Sequence, residues 1–298
     1  MRAKTPYPMN LKLLLLCFFF FLLLCLILRS SFLSSQQNPS PVKNAQTHPI
    51  SNSTTAPLDP QPQSIPCEPL TPTCTKITPS LAHTLIHYAT SNITPQQTLK
   101  EISVSARVLE RKSPCNFLVF GLGHDSPMWT ALNHGGRTVF LEEDKAWIDQ
   151  IKERLPGLES YHVGYDTKVS EAEGLMKIGR EEECRVVGDP RLSKCGLALK
   201  GFPAEVYEVE WDLIMVDAPT GYHEAAPGRM TAIYTAGLMG RNREEGETEV
   251  FVHDVDRAVE DEFSKAFLCE GYLREQEGRL RHFTIPSHRT RLGRPFCP

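Results

Sequence analysis

The chain has 298 residues, with 32 Lys and Arg against 36 Asp and Glu, so its net charge of −4 offers no global basic excess for a nucleic-acid partner. That length suits one domain of about 200 residues with appendages, large enough to bury most of its apolar surface. Any anionic partner must therefore be read by a local patch of cations.

The first informative stretch is Leu13 to Leu28, an uncharged run of Leu, Phe, Cys and Ile preceded by Arg2, Lys4 and Lys12 and closed by Arg29. At 1.5 Å per residue it covers about 24 Å, slightly less than a hydrocarbon core of about 30 Å. Lys12 and Arg29 can snorkel, and the Ser-Ser-Phe-Leu that follows completes the crossing. Residues 1–12 then read as a cytosolic tail and 13–33 as a transmembrane signal anchor. Positive charge lies mainly before the span, which predicts type II topology with the remainder lumenal, and the short span favours a thin membrane of the early secretory pathway. A cleaved signal peptide would want a small-residue site, of which Arg29 to Leu33 supply only a weak version. Residues 34–79 are Pro, Ser, Gln, Thr and Asn with hardly an aromatic, a stalk composition that cannot offset chain entropy by burial. Asn52 and Asn92 open glycosylation sequons, the second weakened by Pro95.

Seven cysteines follow the span, and their short spacings single out Cys67 with Cys74 and Cys184 with Cys195 as pairs, leaving one thiol over because seven is odd. No CxxC is present, which disfavours a zinc finger.

The globular region is expected over 80–298. Helical spacing of Leu81, Leu85, Ile86 and Tyr88 opens it, and a second helical run spans Pro95 to about Lys112. From there short apolar runs alternate with helices. Strands are expected at Asn116 to Phe120, Thr138 to Leu141, Ser160 to Val163, Trp211 to Val216 and Glu249 to Val252. Helices are expected at Pro127 to Asn133, Lys145 to Leu155, Ser170 to Arg180, Met230 to Asn242 and Val259 to Leu268. This alternation predicts an α/β, Rossmann-like fold, a mostly parallel sheet with helices on both faces. Gly271 to Glu275 and Leu280 to Ile285 would add an antiparallel pair closing the edge.

In such a sheet the ligand sits outside the carboxyl ends of the strands. Those ends carry Gly121-Leu-Gly123-His124-Asp125, Glu142-Glu143-Asp144, Asp166, Asp217 and His253-Asp254. The glycines permit close backbone approach to a ligand, and an acidic residue about 20 positions later can accept hydrogen bonds from the ribose hydroxyls of an adenosine cofactor. A dinucleotide site would want a third glycine near Ser126, where this chain has Ser126-Pro127 followed by Met128 and Trp129. S-adenosylmethionine has no pyrophosphate to seat, so the missing glycine points to it.

Phe117-Leu-Val-Phe-Gly-Leu-Gly-His-Asp-Ser126, Asn133-His-Gly-Gly-Arg-Thr138, Trp211-Asp-Leu-Ile-Met-Val-Asp-Ala-Pro-Thr-Gly-Tyr222, Ala226-Pro-Gly-Arg-Met230 and Val252-His-Asp-Val255 resemble the plant DUF579 family, most closely its glucuronoxylan 4-O-methyltransferases. The resemblance runs from about Pro66 to Pro298. It implies transfer of a methyl group from S-adenosylmethionine to the 4-hydroxyl of glucuronic acid on xylan, on the lumenal side of the Golgi membrane, beside other xylan-synthesis enzymes. The family also includes methyltransferases of arabinogalactan and members needed for xylan synthesis with no assigned activity, so a different acceptor and a non-catalytic scaffold stay open. A nicotinamide-dependent oxidoreductase would want a Tyr-x-x-x-Lys pair, and none occurs.

Methyl transfer to a sugar hydroxyl needs a base, or a metal that lowers the hydroxyl's pKa. Asp217, His223, His253 and Asp254 are suited in type to base catalysis. Alternatively Asp217 and Asp254 could hold a divalent cation against vicinal hydroxyls. The bland reading gives Asp217 a turn or capping role, and His124 and Asp125 a role in capping the helix that follows. An acidic acceptor favours an arginine clamp. Arg229, Arg241, Arg243 and Arg257 lie just after strand ends, and the C-terminal segment adds Arg279, Arg281, His282, His288, Arg289, Arg291 and Arg294. As a group they suit such a clamp better than any one of them does, while Tyr222 and Trp129 are suited in type to stack on a sugar face or to join the core.

Overall fold

Phe117 to Phe120, Leu213 to Val216 and Val250 to Val252 are apolar at every position, the pattern of a sheet covered on both faces. The computed structural model describes residues 78–290 and 293–298. Among these, β1 (Asn116–Phe120), β2 (Arg137–Glu142), β3 (Glu159–His162), β4 (Leu213–Val216), β5 (Glu247–Val252), β6 (Leu273–Glu277) and β7 (Leu280–Pro286) form one sheet ordered β3-β2-β1-β4-β5-β7-β6. The first five strands are parallel, with Leu118 beside Val139 on one flank and Ile214 on the other, and Ile214 beside Val250. β7 runs antiparallel between β5 and β6. The expected closing pair is present, and its second strand is interior.

Alternate residues of each strand feed two cores. Leu118, Phe120, Ile214, Val216, Val250 and Val252 pack on one face beneath α6 (Met230–Asn242) and α7 (Ala258–Phe263), which continues as a π-helical turn Ser264–Cys269. Phe117, Val119, Leu213, Met215 and Phe251 pack on the other, against α2 (Leu99–Lys112), α3 (Ser126–Leu132) and α4 (Lys145–Arg154). Burying each such side chain stabilises by about 1.5–3 kcal/mol. α1 (Pro79–Thr90) starts one residue before the expected boundary and packs on α3. The helix expected from Ser170 begins as a 3-10 turn, Val169–Glu171, and becomes α5 (Ala172–Gly179).

The largest boundary difference is in α2, which begins at Leu99 and not at Pro95. Thr98 caps it in a reciprocal capping box with Glu101, whose carboxylate accepts from the Thr98 N–H at 2.6 Å. Pro95 to Gln97 are left outside the helix, free to turn toward the sheet.

Cys184–Cys195 form a disulfide, as the spacing suggested. A second, Cys269–Cys297, was not foreseen, and Cys115 is a free buried thiol. The pairing of Cys67 with Cys74, the membrane span, Asn52 and the stalk up to residue 77 lie outside the described residues, and the last two positions expected in the stalk, Thr78 and Pro79, instead cap and open α1. Within the described residues no helix is long and apolar enough to cross a membrane. Asn92 is exposed between α1 and α2.

Candidate active site

The strand order reverses at the junction of β1 and β4, which opens a crevice at their carboxyl ends. Gly121 follows β1 with φ +122°, and a Cβ there would lie 3.3 Å from the Ala218 Cβ, so only glycine suits the position. The next residues are fixed from three sides. Leu122 N–H donates to Glu142 Oε2 (3.0 Å), the Trp147 indole donates to the Leu122 carbonyl (2.7 Å), and Gly123 N–H donates to Ser126 Oγ (3.0 Å).

Glu142 and Glu143 therefore have different roles. Glu142 is buried, and its other oxygen accepts from Asp144 N–H at 3.0 Å. Burial is the main reason its carboxyl is pushed up to about 7. Through these two bonds it shapes the glycine loop. Glu143 accepts from Thr220 N–H through Oε1 (3.1 Å), while its Oε2 is buried with no partner among the described residues. A buried carboxylate oxygen without a donor fits the ribose hydroxyls of an adenosine cofactor. The nearby Tyr165 hydroxyl is also buried and unpartnered; burial first, and then the charge of Glu143, hold its pKa well above the usual value.

Asp125 does not cap α3 with its side chain; its Oδ2 accepts from the Trp129 indole at 2.9 Å. Burial and then the charge of Asp217 push the Asp125 carboxyl up. His124 lies edge-on to Trp147 with ring centroids 5.2 Å apart, and its carbonyl accepts from the Tyr88 hydroxyl. Burial depresses the His124 pKa.

Across the crevice Asp217 follows β4, and His253 and Asp254 follow β5. Asp217 Oδ2 accepts from the Gln97 amide (3.0 Å), and Oδ1 accepts from His253 Nδ1 (3.0 Å) with an Arg229 nitrogen 3.3 Å away. Burial pushes the Asp217 carboxyl up, but the His253 hydrogen bond, the Arg229 charge and the Gln97 amide outweigh it and hold the pKa below the usual carboxylate range. The His253 ring is buried and its Nε2, without a hydrogen bond, faces Glu101 Oε2 at 3.8 Å. Asp254 is held at φ 60°, a left-handed conformation uncommon outside glycine. It is buried among Arg229 (3.0 Å), Arg257 (2.9 Å) and Arg279 (2.5 Å).

This arrangement corrects several expectations. Arg229 is 3% exposed, and its guanidinium donates to the carbonyls of Pro219 and His253 while pairing with Asp217 and Asp254. It organises the acids and is closed to an acceptor. His253 is likewise too deep to touch a substrate, so it positions Asp217, whose side chain is 17% exposed. His223 is exposed, with its ring edge-on to that of Tyr222, which is 70% exposed. The expected group of arginines does not form one patch. Arg241 is buried against Phe296 with its guanidinium 3.9 Å from the ring centroid, Arg243 reaches Asp212 at 3.4 Å, and Arg281 pairs with Asp261. Gln97, Glu101 and the fully buried Glu260 were missed. The Thr98-x-x-Glu101 capping signature was the available signal for Glu101; nothing local marked Gln97 or Glu260.

Ligand atoms of Asp217, His253 and Asp254 lie within 4.8 Å of one another, a spacing and donor set that fit a cation. Those residues would hold it, and when bound it would supply Lewis acidity toward a hydroxyl. The three guanidinium groups already compensate these acids, so a cation would compete with Arg229 for Asp217 and Asp254.

A doubly wound sheet with an antiparallel β7 between β5 and β6, a glycine loop after β1 and an acid after β2 defines a Rossmann-like methyltransferase fold. Residues 100–283 match the family described as IRX15/IRX15L/GXM, and the chain belongs to that family. It is 61% identical over 300 residues to glucuronoxylan 4-O-methyltransferase 3 of Arabidopsis thaliana, covering 100% of this chain and 98% of the relative. With glucuronoxylan 4-O-methyltransferase 1 of the same plant it shares 59% identity over 303 residues and 100% of both chains. Identity to arabinogalactan O-methyltransferase 2 of Arabidopsis thaliana is 49% over 228 residues, 74% of this chain and 78% of the relative.

Proposed function

We propose that this chain transfers a methyl group from S-adenosylmethionine to the 4-hydroxyl of glucuronic acid side chains of glucuronoxylan. The observation that carries this reading is Asp217, an ionised and partly exposed carboxylate across the crevice from the glycine loop. Full-length similarity to glucuronoxylan 4-O-methyltransferases supports the acceptor.

S-adenosylmethionine, when bound, supplies an electrophilic methyl group on a sulfonium. The backbone of Gly121 to Gly123 and the free oxygen of Glu143 are the groups that would hold it. Asp217 faces the acceptor hydroxyl, which becomes acidic only as its oxygen gains the methyl group. A carboxylate that is fully ionised at neutral pH suffices to take that proton. His253, Gln97 and Arg229 fix both Asp217 oxygens in place, so little reorganisation remains at the moment of transfer.

The cell location belongs to the same proposal. A type II anchor at 13–33, followed by the stalk over 34–79, would put the domain in the Golgi lumen, where glucuronoxylan is made beside other xylan-synthesis enzymes. The two disulfides support an oxidising compartment.

The test is methyl transfer by the full chain from labelled S-adenosylmethionine to glucuronoxylan, with arabinogalactan in parallel and chelator present or absent. Label on the xylan 4-hydroxyl is expected. Label on arabinogalactan alone would move the acceptor. Transfer that stops with chelator and returns with a divalent cation would assign Asp217, His253 and Asp254 as ligands. No transfer by a folded chain that also fails to bind S-adenosylmethionine would leave the scaffold.

A further inference from the structure

The groups that recognise the acceptor's charge must be found beyond Arg229, which is sealed. In a uronic acid the 4-hydroxyl and the carboxylate stand on adjacent ring carbons. A cation that reads the carboxylate must therefore neighbour the residue that takes the hydroxyl proton. Two guanidinium groups meet that condition: the side chains of Arg257 and Arg279 are 31% and 37% exposed, and both reach Asp254, one ligand atom of which lies within 4.8 Å of Asp217.

Their orientation is fixed in advance. Arg257 donates to the Thr220 carbonyl (3.0 Å) and pairs with Asp254 Oδ2 (2.9 Å), so it is held from the loop after β4 and the loop after β5. Arg279, in the turn between β6 and β7, donates to the Gln96 carbonyl (2.8 Å) and to Asp254 Oδ1 (2.5 Å). Asp254 thus takes Arg279 on Oδ1, and on Oδ2 it takes Arg257 beside the buried Arg229 (3.0 Å). Each guanidinium carries five donors, so donors remain on both after these contacts. Donors held by backbone carbonyls lose little freedom when a ligand arrives. The acid they share is buried, so the partly exposed part of the cluster is cationic.

We propose that Arg257 and Arg279 form a two-guanidinium clamp for the carboxylate of the acceptor sugar, and that this clamp restricts the site to uronic acids. The inference rests on the functional reading above, since it concerns the same acceptor.

The experiment uses the full chain with glucuronoxylan and with the same polymer after chemical reduction of its glucuronic acid carboxyls to primary alcohols. A carboxylate held by charge-assisted hydrogen bonds is worth roughly 10- to 100-fold in selectivity, so the wild-type kcat/KM should favour the acidic polymer by about that factor. Arg257→Gln and Arg279→Gln should each bring the ratio of rates on the two polymers toward one, mainly through KM on the acidic polymer. Arg279→Lys should recover part of the ratio. Binding of S-adenosylmethionine by each variant reports that the fold is intact. Equal loss on both polymers would overturn the clamp and leave the two arginines as supports for Asp254, as would a wild-type enzyme that does not distinguish the polymers. Failure of the wild type to methylate glucuronoxylan at all would overturn the functional reading itself, and is separable from these results.

Discussion

His253 Nδ1 lies 3.0 Å from Asp217 Oδ1, and of the two side chains only Asp217 reaches the surface. The imidazole stands behind the carboxylate and orients it. Asp217→Asn should lower kcat by about 10²- to 10⁴-fold, the usual contribution of a general base, with S-adenosylmethionine affinity little changed. His253→Gln should cost less. Single-turnover methyl transfer beside calorimetric cofactor binding measures both, and a larger loss for the histidine would reverse the assignment.

Glu142 and Glu143 are adjacent in sequence and should fail differently. Glu143→Gln weakens the oxygen proposed to accept from the ribose hydroxyls, and a hydrogen bond to a charged group is worth about 1.5–3 kcal/mol, so cofactor Kd should rise roughly tenfold or more. Glu142→Gln should instead lower the melting temperature, because its two oxygens accept from Leu122 and Asp144. Titration calorimetry and thermal melts of the two variants separate the roles; equal cofactor losses would show that Glu142 also reaches the ligand.

Glu249, away from the crevice on β5, gives the domain an acid sensitivity. Burial pushes its carboxyl up, but hydrogen bonds from His282 (2.8 Å) and Thr284 (2.7 Å) and the charge of Lys112 (3.3 Å) bring it down to about 2. A folded pKa below the unfolded value gives stability that is complete above about pH 4.5 and is lost as pH falls toward 2. The gap corresponds to about 3 kcal/mol. Glu249→Gln should melt well below the wild type at pH 7, with the difference shrinking as pH falls from 4.5. A difference independent of pH would mean that packing, not charge, is what the substitution removes.

The Cys269–Cys297 bond closes a loop with a sequence separation of 28, for which chain entropy predicts a contribution of about 3–4 kcal/mol. Cys297→Ser should lower the unfolding midpoint in denaturant accordingly, while Cys115→Ser should leave the disulfide pattern seen by mass spectrometry unchanged.

The five parallel strands were legible because runs such as Leu213 to Val216 are apolar throughout and end in Gly or Asp. The cofactor half of the site was legible for the same local reason, since Gly121, Gly123 and the acids after β2 sit at fixed offsets from their strands. The acceptor half was not. Arg229 looked available in sequence because it follows a strand end, and only its burial with Asp217 and Asp254 removes it. Arg279 was one arginine among many until the antiparallel insertion of β7 carried it to Asp254. Gln97 and Glu101 come from a helix start well before β1 in the chain, so no spacing rule could link them to Asp217 and His253.

Both disulfides and all four of their sulfurs belong to the face of the sheet that α6 covers, whereas the lone thiol Cys115 lies in the opposite core. Among the described residues the domain is therefore stapled on one side only. A reductant would loosen the α6 layer first, while α2, α3 and α4, which carry no disulfide among the described residues, would lose nothing by it. Chain produced in a reducing cytosol would fold its two halves to different standards, and hydrogen exchange would find the weakness beneath α6, at a distance from the glycine loop.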